Sequence, residues 1–572
     1  MKTLSRHKPV FLPTSKKEIE ARGWDKPDVI IFTGDAYIDH PAFGAAVIGR
    51  VLEAEGLRVA IVPQPNWRDD LRDFKKLGAP RLFFGVTSGG MDSMVNHYTA
   101  NKRLRSNDAY SPDGKAGFRP DYAVTVYSKI LKTLYPDTPV VLGGIEASLR
   151  RLTHYDYWND TLKPSVLVES GADILVYGMG EKPIREIARR IQTGEVWRNI
   201  PQTAIVSATH PGATTLMLPS FEECLRDKKK FAGHFRHIEN EANSMHAKTL
   251  AEPTGKGFVV VHPPYPAMTG TELDAVFELP YTRLPHPRYD DKRLPAYDMI
   301  KNSINIHRGC FGGCSFCTIA AHQGKQIISR SERSILQEVE QVSKLPGFKG
   351  YLSDLGGPSA NMYGMKGKDE KICRSCKRHA CIYPSVCKNL RTDHGRLLTL
   401  YRAVDANRNI KKSFIGSGIR YDLFLDEKGF LNNTAAEYFS ALLAKHVSGR
   451  LKVAPEHTEA HVLHTMRKPS FNLFKTLKTA FDHENKRLNL RLQLIPYFIS
   501  GHPGCSEKDM RELSKKLAAL HLQPEQVQDF TPTPMTHASA IFYTGIDPTS
   551  GEKIYVARRK EEKLRQKEWF FN

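Results

Sequence analysis

Between Ser303 and Phe530, six short β-rich runs alternate with helical stripes, a repetition that few folds other than a parallel sheet curling into a partial or complete barrel can satisfy. The runs begin at Ser303, Gly350, Ser413, Arg450, Leu488 and Gln526. Helical faces between them recur at three- and four-residue spacing: Ile335/Val339/Val342, Leu397/Tyr401/Val404, Leu473/Leu477/Phe481 and Leu513/Leu517/Leu520. Thr434 with Glu437 reads as a capping box opening the helix after the third strand. No clear helix follows the sixth strand. Ligands of such barrels sit at the C-terminal ends of the strands.

The first half alternates in the same way, through Asp28 to Thr33, Phe43 to Glu55, Arg58 to Val62, Arg81 to Gly85, Pro139 to Gly144 and Ala172 to Gly178. This pattern predicts a doubly wound α/β domain over residues 1–280. Gly89-Gly90, Gly143-Gly144 and Gly178/Gly180 fall at its strand ends. Tyr98 to Asp121 reads as a long loop, and Phe221 to Lys248 as a charged helical excursion. Prolines 280, 285, 287 and 295 mark a linker over 281–298. The barrel then takes 299–540, with a cysteine-rich insertion at 358–390, and 541–572 is a basic tail, read as an exposed helix or a frayed end.

Lysine and arginine number 83 against 62 aspartates and glutamates, a net charge of +21 that favours an acidic partner such as nucleic acid. No compact basic and aromatic motif accompanies that charge. No apolar run approaches the roughly 20 residues a bilayer requires, and Met1 to Thr14 lacks a signal peptide's apolar centre. The expectation is a cytoplasmic protein without membrane contact. Seven of the nine cysteines lie between Cys310 and Cys387, and such clustering points to metal rather than disulfides.

Cys310-Phe-Gly-Gly-Cys314-Ser-Phe-Cys317 follows the first barrel strand, so three thiolates project from one loop at the barrel mouth. Gly312 and Gly313 let backbone approach an iron-sulfur cube held on its face by these sulfurs. Three protein ligands leave one iron open for a reacting molecule. The alternatives for this donor set are a zinc site completed by His307 or His322, or buried thiols without a metal.

This spacing resembles the radical S-adenosylmethionine superfamily. The resemblance implies that the open iron of a 4Fe-4S cluster binds S-adenosylmethionine, that one electron cleaves it to a 5'-deoxyadenosyl radical, and that this radical abstracts hydrogen from a substrate. It also implies cofactor-binding roles for Phe316 near adenine, for Gly356 and Gly357 at the methionine amino group, and for Ser417, Arg420 and Glu456 at ribose and carboxylate. Pro358 stands where the family carries an acid. Pro496 to Gly504 resembles the family's fifth-strand glycine segment. Gly143 to Ser148, Val453-Ala-Pro-Glu-His457 and Asp529-Phe-Thr-Pro-Thr-Pro534 resemble the YgiQ-like branch, whose substrate the resemblance does not supply. A one-electron reductant such as flavodoxin or ferredoxin is the implied partner.

Cys373, Cys376, Cys381 and Cys387 form a second set in the insertion, fit for a second iron-sulfur cluster or a closed zinc site. Lys371, Arg374, Lys377, Arg378 and His379 are expected to offset their charge and lower their pKa values. The first domain resembles a cobalamin-binding module in fold class. Asp39-His-Pro-Ala-Phe-Gly44 lacks the Asp-x-His-x-x-Gly spacing, so cobalamin is not expected. The resulting reading is a radical enzyme with an unknown substrate; the rival is a non-catalytic iron-sulfur or zinc protein that binds RNA and senses redox state.

Overall fold

In the strand Val29–Thr33, Ile30 and Phe32 face one side and Val29 and Ile31 the other, and each pair meets its own helical layer. Helices Gly44–Ala54 and Glu181–Thr193 cover one face; Ala123–Leu134 covers the other. This computed structural model describes residues 10–255 and 257–571. Most of the stretch from Met1 to Thr14, and the last residue of the tail, thus lie outside the described residues.

The sheet runs in spatial order Val59–Pro63, Val29–Thr33, Phe83–Thr87, Val140–Leu142, Ile174–Val176, Thr203–Ser207, Gly257–Val261, Leu250–Thr254 and Leu216–Met217. The first five strands are parallel. Beyond them, among strands the sequence pattern does not mark, the pairing turns antiparallel at three successive neighbours, so the whole sheet is mixed. Strand order reverses between Val29–Thr33 and Phe83–Thr87, where open sheets hold ligands. Here the crevice is filled from within: Arg119 Nη2 donates to Asp35 at 2.8 Å, and the Gly90 amide donates to the same carboxylate at 2.6 Å. Burial pushes Asp35 up to about 6.

The barrel strands fall close to their expected places. Ser303–Asn305 pairs in parallel with Asp354–Gly356, Tyr351–Leu352 with Lys412–Ser413, and Arg450–Glu456 with Gln493–Ser500, which in turn pairs with Gln526–Asp529. The fifth strand starts at Gln493 rather than Leu488, because Leu488 ends the long helix Phe471–Arg487. The helix after the third strand is capped by Asn432, whose side chain accepts from the Ala435 amide, and not by Thr434. Thr434 instead donates to Asn432, and Glu437 pairs with Arg402.

The two halves share an interior. Tyr155, Tyr157, Phe231 and Phe235 come from the first half but belong to the barrel core with Ile304, Leu352, Val453 and Phe498. The charged excursion, helices Phe221–Arg226 and Lys228–Ala242, therefore docks on the barrel, where Glu239 accepts from Arg467 at 2.6 and 3.1 Å. The proline segment is likewise anchored, with Tyr281, Tyr289 and Leu294 in the first domain's core.

The tail departs from its reading as exposed or frayed. Helix Lys560–Glu568 lies against the barrel, Gln566 takes the Gly501 amide at 3.0 Å and donates to the Cys505 carbonyl at 2.8 Å, and Phe570 is buried. Its weak periodicity hid this, because a polar residue makes the anchoring contacts. Among the described residues no helix is long and apolar enough to cross a membrane.

Candidate functional site

The loop after the first barrel strand is fixed at several points. The Cys310 amide donates to Gly324 O at 3.1 Å, the Ser315 amide to Met466 O at 3.0 Å, and the Ala538 amide to Ser315 O at 2.9 Å. Cys310, Cys314 and Cys317 are free and partly buried. The Gly312 amide donates to Cys310 Sγ at 3.4 Å, and Arg420 Nη1 donates to Cys314 Sγ at 3.4 Å. A Cβ at Gly312 would stand 2.9 Å from Arg420 Nη1 and 3.2 Å from Cys310 Sγ, so glycine is what allows the guanidinium and the thiol to close over this loop. Burial, and then the neighbouring Cys314, push Cys317 up to about 12; burial also raises Cys310.

Among the described residues no three His, Cys, Asp or Glu side chains converge as ligands of a single metal ion. A cube distributes its sulfur ligands over separate irons and needs no such convergence. Three thiols on one loop, a cationic donor at one of them and a glycine cradle fit that group. The zinc alternative finds its histidines otherwise placed: His322 Nδ1 lies 3.2 Å from Ser148 Oγ of the first domain. His307 is fully buried, both its ring nitrogens lack partners among the described residues, and burial lowers its pKa to about 3.

The remaining expected residues collect at the same strand ends. Phe316 packs edge-on to His502 at 5.8 Å. Gly357 lies over His307, where a Cβ would come within 2.5 Å of the ring. Gly356 adjoins Ser417, and both meet Asp354, whose carboxylate accepts from the Gly416 and Ser417 amides at 2.9 and 3.1 Å and from the Ser417 hydroxyl. Arg420, expected at a ligand carboxylate, grips Asp422 through two nitrogens, while Asn361 Oδ1 accepts from its amide at 2.8 Å.

Glu456 is buried, 3.8 Å from Lys468 Nζ, and adopts φ +68° at an irregularity in the fourth strand. That left-handed backbone is strained for any residue with a Cβ. Burial raises its pKa, against the pull of Lys468 and Arg420. Asp354, Asp422, Asn361 and Lys468 were missed in the sequence because nothing in their local spacing marks them.

The second set adjoins the first. Cys310, Cys381 and Cys387 border one small core of Phe311, Met362, Met365, Ile382, Leu390 and Leu423. The Cys381 amide donates to Phe311 O at 3.0 Å, and Asn389 Nδ2 donates to Cys373 Sγ at 3.3 Å. Burial raises Cys373 and Cys381, and the cation opposing this at Cys381 is Lys325. The adjacent basic residues do not lower these thiols as expected: Lys371, Arg374 and Lys377 face solvent, Arg378 donates to the Ala380 and Tyr383 carbonyls, and His379 lies 3.6 Å from Glu239. In the first domain, Asp39 is bonded to Arg50 Nε at 3.1 Å, and His40 Nε2 lies 3.0 Å from Arg283 Nη1.

A family model described as Radical SAM N-terminal matches residues 11–303. Together with the cysteine loop, that match defines the class as a radical S-adenosylmethionine enzyme, a class that implies a 4Fe-4S cluster and S-adenosylmethionine as cofactors. A UPF0313 protein of Bacteroides thetaiotaomicron is 61% identical over 98% of this chain and 94% of its own length. The UPF0313 protein of Porphyromonas gingivalis is 57% identical over 99% and 91%. The chain belongs to the UPF0313 family. Among solved structures, the radical S-adenosylmethionine methyltransferase TsrM from Kitasatospora setae, with cobalamin and a [4Fe-4S] cluster bound, covers 89% of this chain and 77% of its own at 16% identity and TM-score 0.47. The cobalamin-dependent S-adenosylmethionine radical enzyme OxsB covers 97% and 57% at 10% identity and TM-score 0.48.

Proposed function

We propose that this protein cleaves S-adenosylmethionine reductively at a 4Fe-4S cluster on Cys310, Cys314 and Cys317, generating a 5'-deoxyadenosyl radical that abstracts hydrogen from a substrate. One observation carries the reading: three free, partly buried thiols share a glycine loop at the strand ends, with the Arg420 guanidinium donating to one of them. Bound there, the cluster supplies one electron through an iron that the protein leaves open.

The surrounding residues divide the remaining work. Arg420, aimed by Asp422 and Asn361, sets positive charge beside the thiolates. Asp354 ties down the Gly416-Ser417 turn through both amides. Glu456 presents a buried carboxylate suited to an ammonium or ribose hydroxyl, and the backbone strain at this residue is consistent with a functional demand. His307, beneath Gly357, offers a neutral imidazole with no partner among the described residues.

The test is anaerobic reconstitution followed by reduction in the presence of S-adenosylmethionine. 5'-Deoxyadenosine and methionine should form together, and Cys314→Ala should abolish both. Iron-loaded wild-type protein that produces neither would reduce the reading to an iron-sulfur protein without this chemistry.

A further inference from the structure

We propose that Cys373, Cys376, Cys381 and Cys387 hold a second iron-sulfur cluster that relays electrons from an acidic carrier protein to the centre on Cys310, Cys314 and Cys317. The relay role rests on the preceding reading; the metal site does not.

The four thiols are free and partly buried within a short segment, at spacings that suit a four-cysteine cluster. Their placement is what assigns a role. Gly313, inside the first cysteine loop, backs directly onto Ala380, where a Cβ would come within 2.5 Å of the alanine methyl. The insertion therefore covers this side of the first loop, and a protein approaching here meets residues 373–387 before it meets Cys310. The two sets are also wired together. From Cys310 the path runs through one peptide to Phe311 O, across a 3.0 Å hydrogen bond to the Cys381 amide, and so to a second sulfur ligand. Cys310, Cys381 and Cys387 pack against the same apolar core. Zinc at this position would be inert to electrons, having no accessible redox change.

The outer face carries the complementary charge. Lys368, Lys371, Arg374, Lys377 and Lys388 are all exposed, against the exposed carboxylates Asp369 and Glu370. Such a face attracts an acidic one-electron carrier and steers its approach. In the transfer, the reduced carrier loses one electron and is oxidised. The second cluster gains that electron and is then reoxidised as it passes through Phe311 to the first centre, which is reduced by one. No bond is made or broken and no proton is required in this step.

Three measurements on the full chain test this. Reconstituted wild type should bind about eight iron and eight sulfide per chain, and Cys373→Ala/Cys376→Ala about four, with the signal of the first cluster remaining under dithionite. Reduced flavodoxin should bleach wild type rapidly at low ionic strength and more slowly as salt rises. Lys371→Glu/Lys377→Glu/Lys388→Glu should slow that bleaching about tenfold or more while dithionite, which needs no docking, still reduces the protein. Four irons in wild type, or zinc retained at the second set, would overturn the cluster. Equal flavodoxin rates in wild type and the charge-reversed protein would overturn the relay. Should the cysteine variant fail to fold, the wild-type iron count and the charge-reversed protein still decide. Full iron and fast reduction without 5'-deoxyadenosine would count against the proposed function and leave this inference standing.

Discussion

Arg420 grips Asp422 through two nitrogens and turns the third to Cys314, with Nη1 3.4 Å from the sulfur. A guanidinium held this way acts on the thiolates more directly than on a ligand carboxylate. Hydrogen bonds to cluster sulfurs help set reduction potential, and a fixed positive charge favours the reduced, more negative form. Arg420→Met should therefore lower the midpoint potential of the first cluster, followed by electron paramagnetic resonance during a redox titration. Arg420→Lys should recover only part of the shift, since lysine lacks the planar fork. An unchanged potential in both variants would remove Arg420 from this role.

Two effects oppose each other at Glu456. Replacing it with glycine relieves the left-handed backbone, a gain of about 1 kcal/mol. The same change strips buried Lys468 of its counter-charge, a loss of about 3 kcal/mol. The second wins, so Glu456→Gly should melt lower than wild type, whereas Glu456→Gly/Lys468→Met should recover most of the difference. A single variant more stable than wild type would show that the ion pair contributes little.

Gly313 takes φ +63° and has Ala380 behind it. Alanine there meets both a backbone penalty and a steric one, together about 2 kcal/mol. Gly313→Ala should push the two cysteine loops apart and lower reconstituted iron at both sets. Iron analysis beside circular dichroism separates this from global unfolding.

His537 joins the Lys228–Ala242 excursion to the barrel through Glu239, 3.2 Å away, and Asp547, 3.3 Å away. Burial alone would lower its pKa, but bonds to Asp547 and Glu239 raise it above its ordinary value. A raised folded pKa adds stability below the unfolded value of about 6.5, and that stability is lost as pH climbs through the folded value. The melting temperature of His537→Gln should accordingly trail wild type most at about pH 6 and converge on it in alkali. A gap that is flat across this range would mean the imidazole is not charged in the folded protein.

His307 tests ligand contact separately from stability. A buried imidazole with neither nitrogen bonded costs about 1–3 kcal/mol, so His307→Leu should hold or raise the melting temperature. If those nitrogens serve a bound molecule, S-adenosylmethionine affinity should fall in calorimetry even as stability does not. Unaltered affinity would make His307 a packing residue.

Features carried by short-range pattern were readable in advance: the six strands, the amphipathic stripes and the cysteine spacing each lie within a few residues. Features made by chain segments meeting from afar were not. Asp354 and Ser417 are 63 positions apart, and Glu239 and His537 are 298 apart, so no local window contains either pair. The capping signal was misread because Asn432, two residues upstream of Thr434, offered the better-placed acceptor. The docking of helix Lys560–Glu568, read as exposed or frayed, escaped notice because Gln566 anchors it through hydrogen bonds rather than through an apolar face.

Tyr155, Tyr157, Phe231 and Phe235 complete an interior whose other walls are built by the barrel, from Ile304 onward. A cut made at the obvious border near residue 299 would leave each fragment with an apolar wound that the other was meant to close. Expression of either piece alone should yield aggregates, whereas joint expression offers a route back to the native assembly. In this chain the first domain and the barrel inherit one another's fate, and neither can be exchanged as a free-standing module.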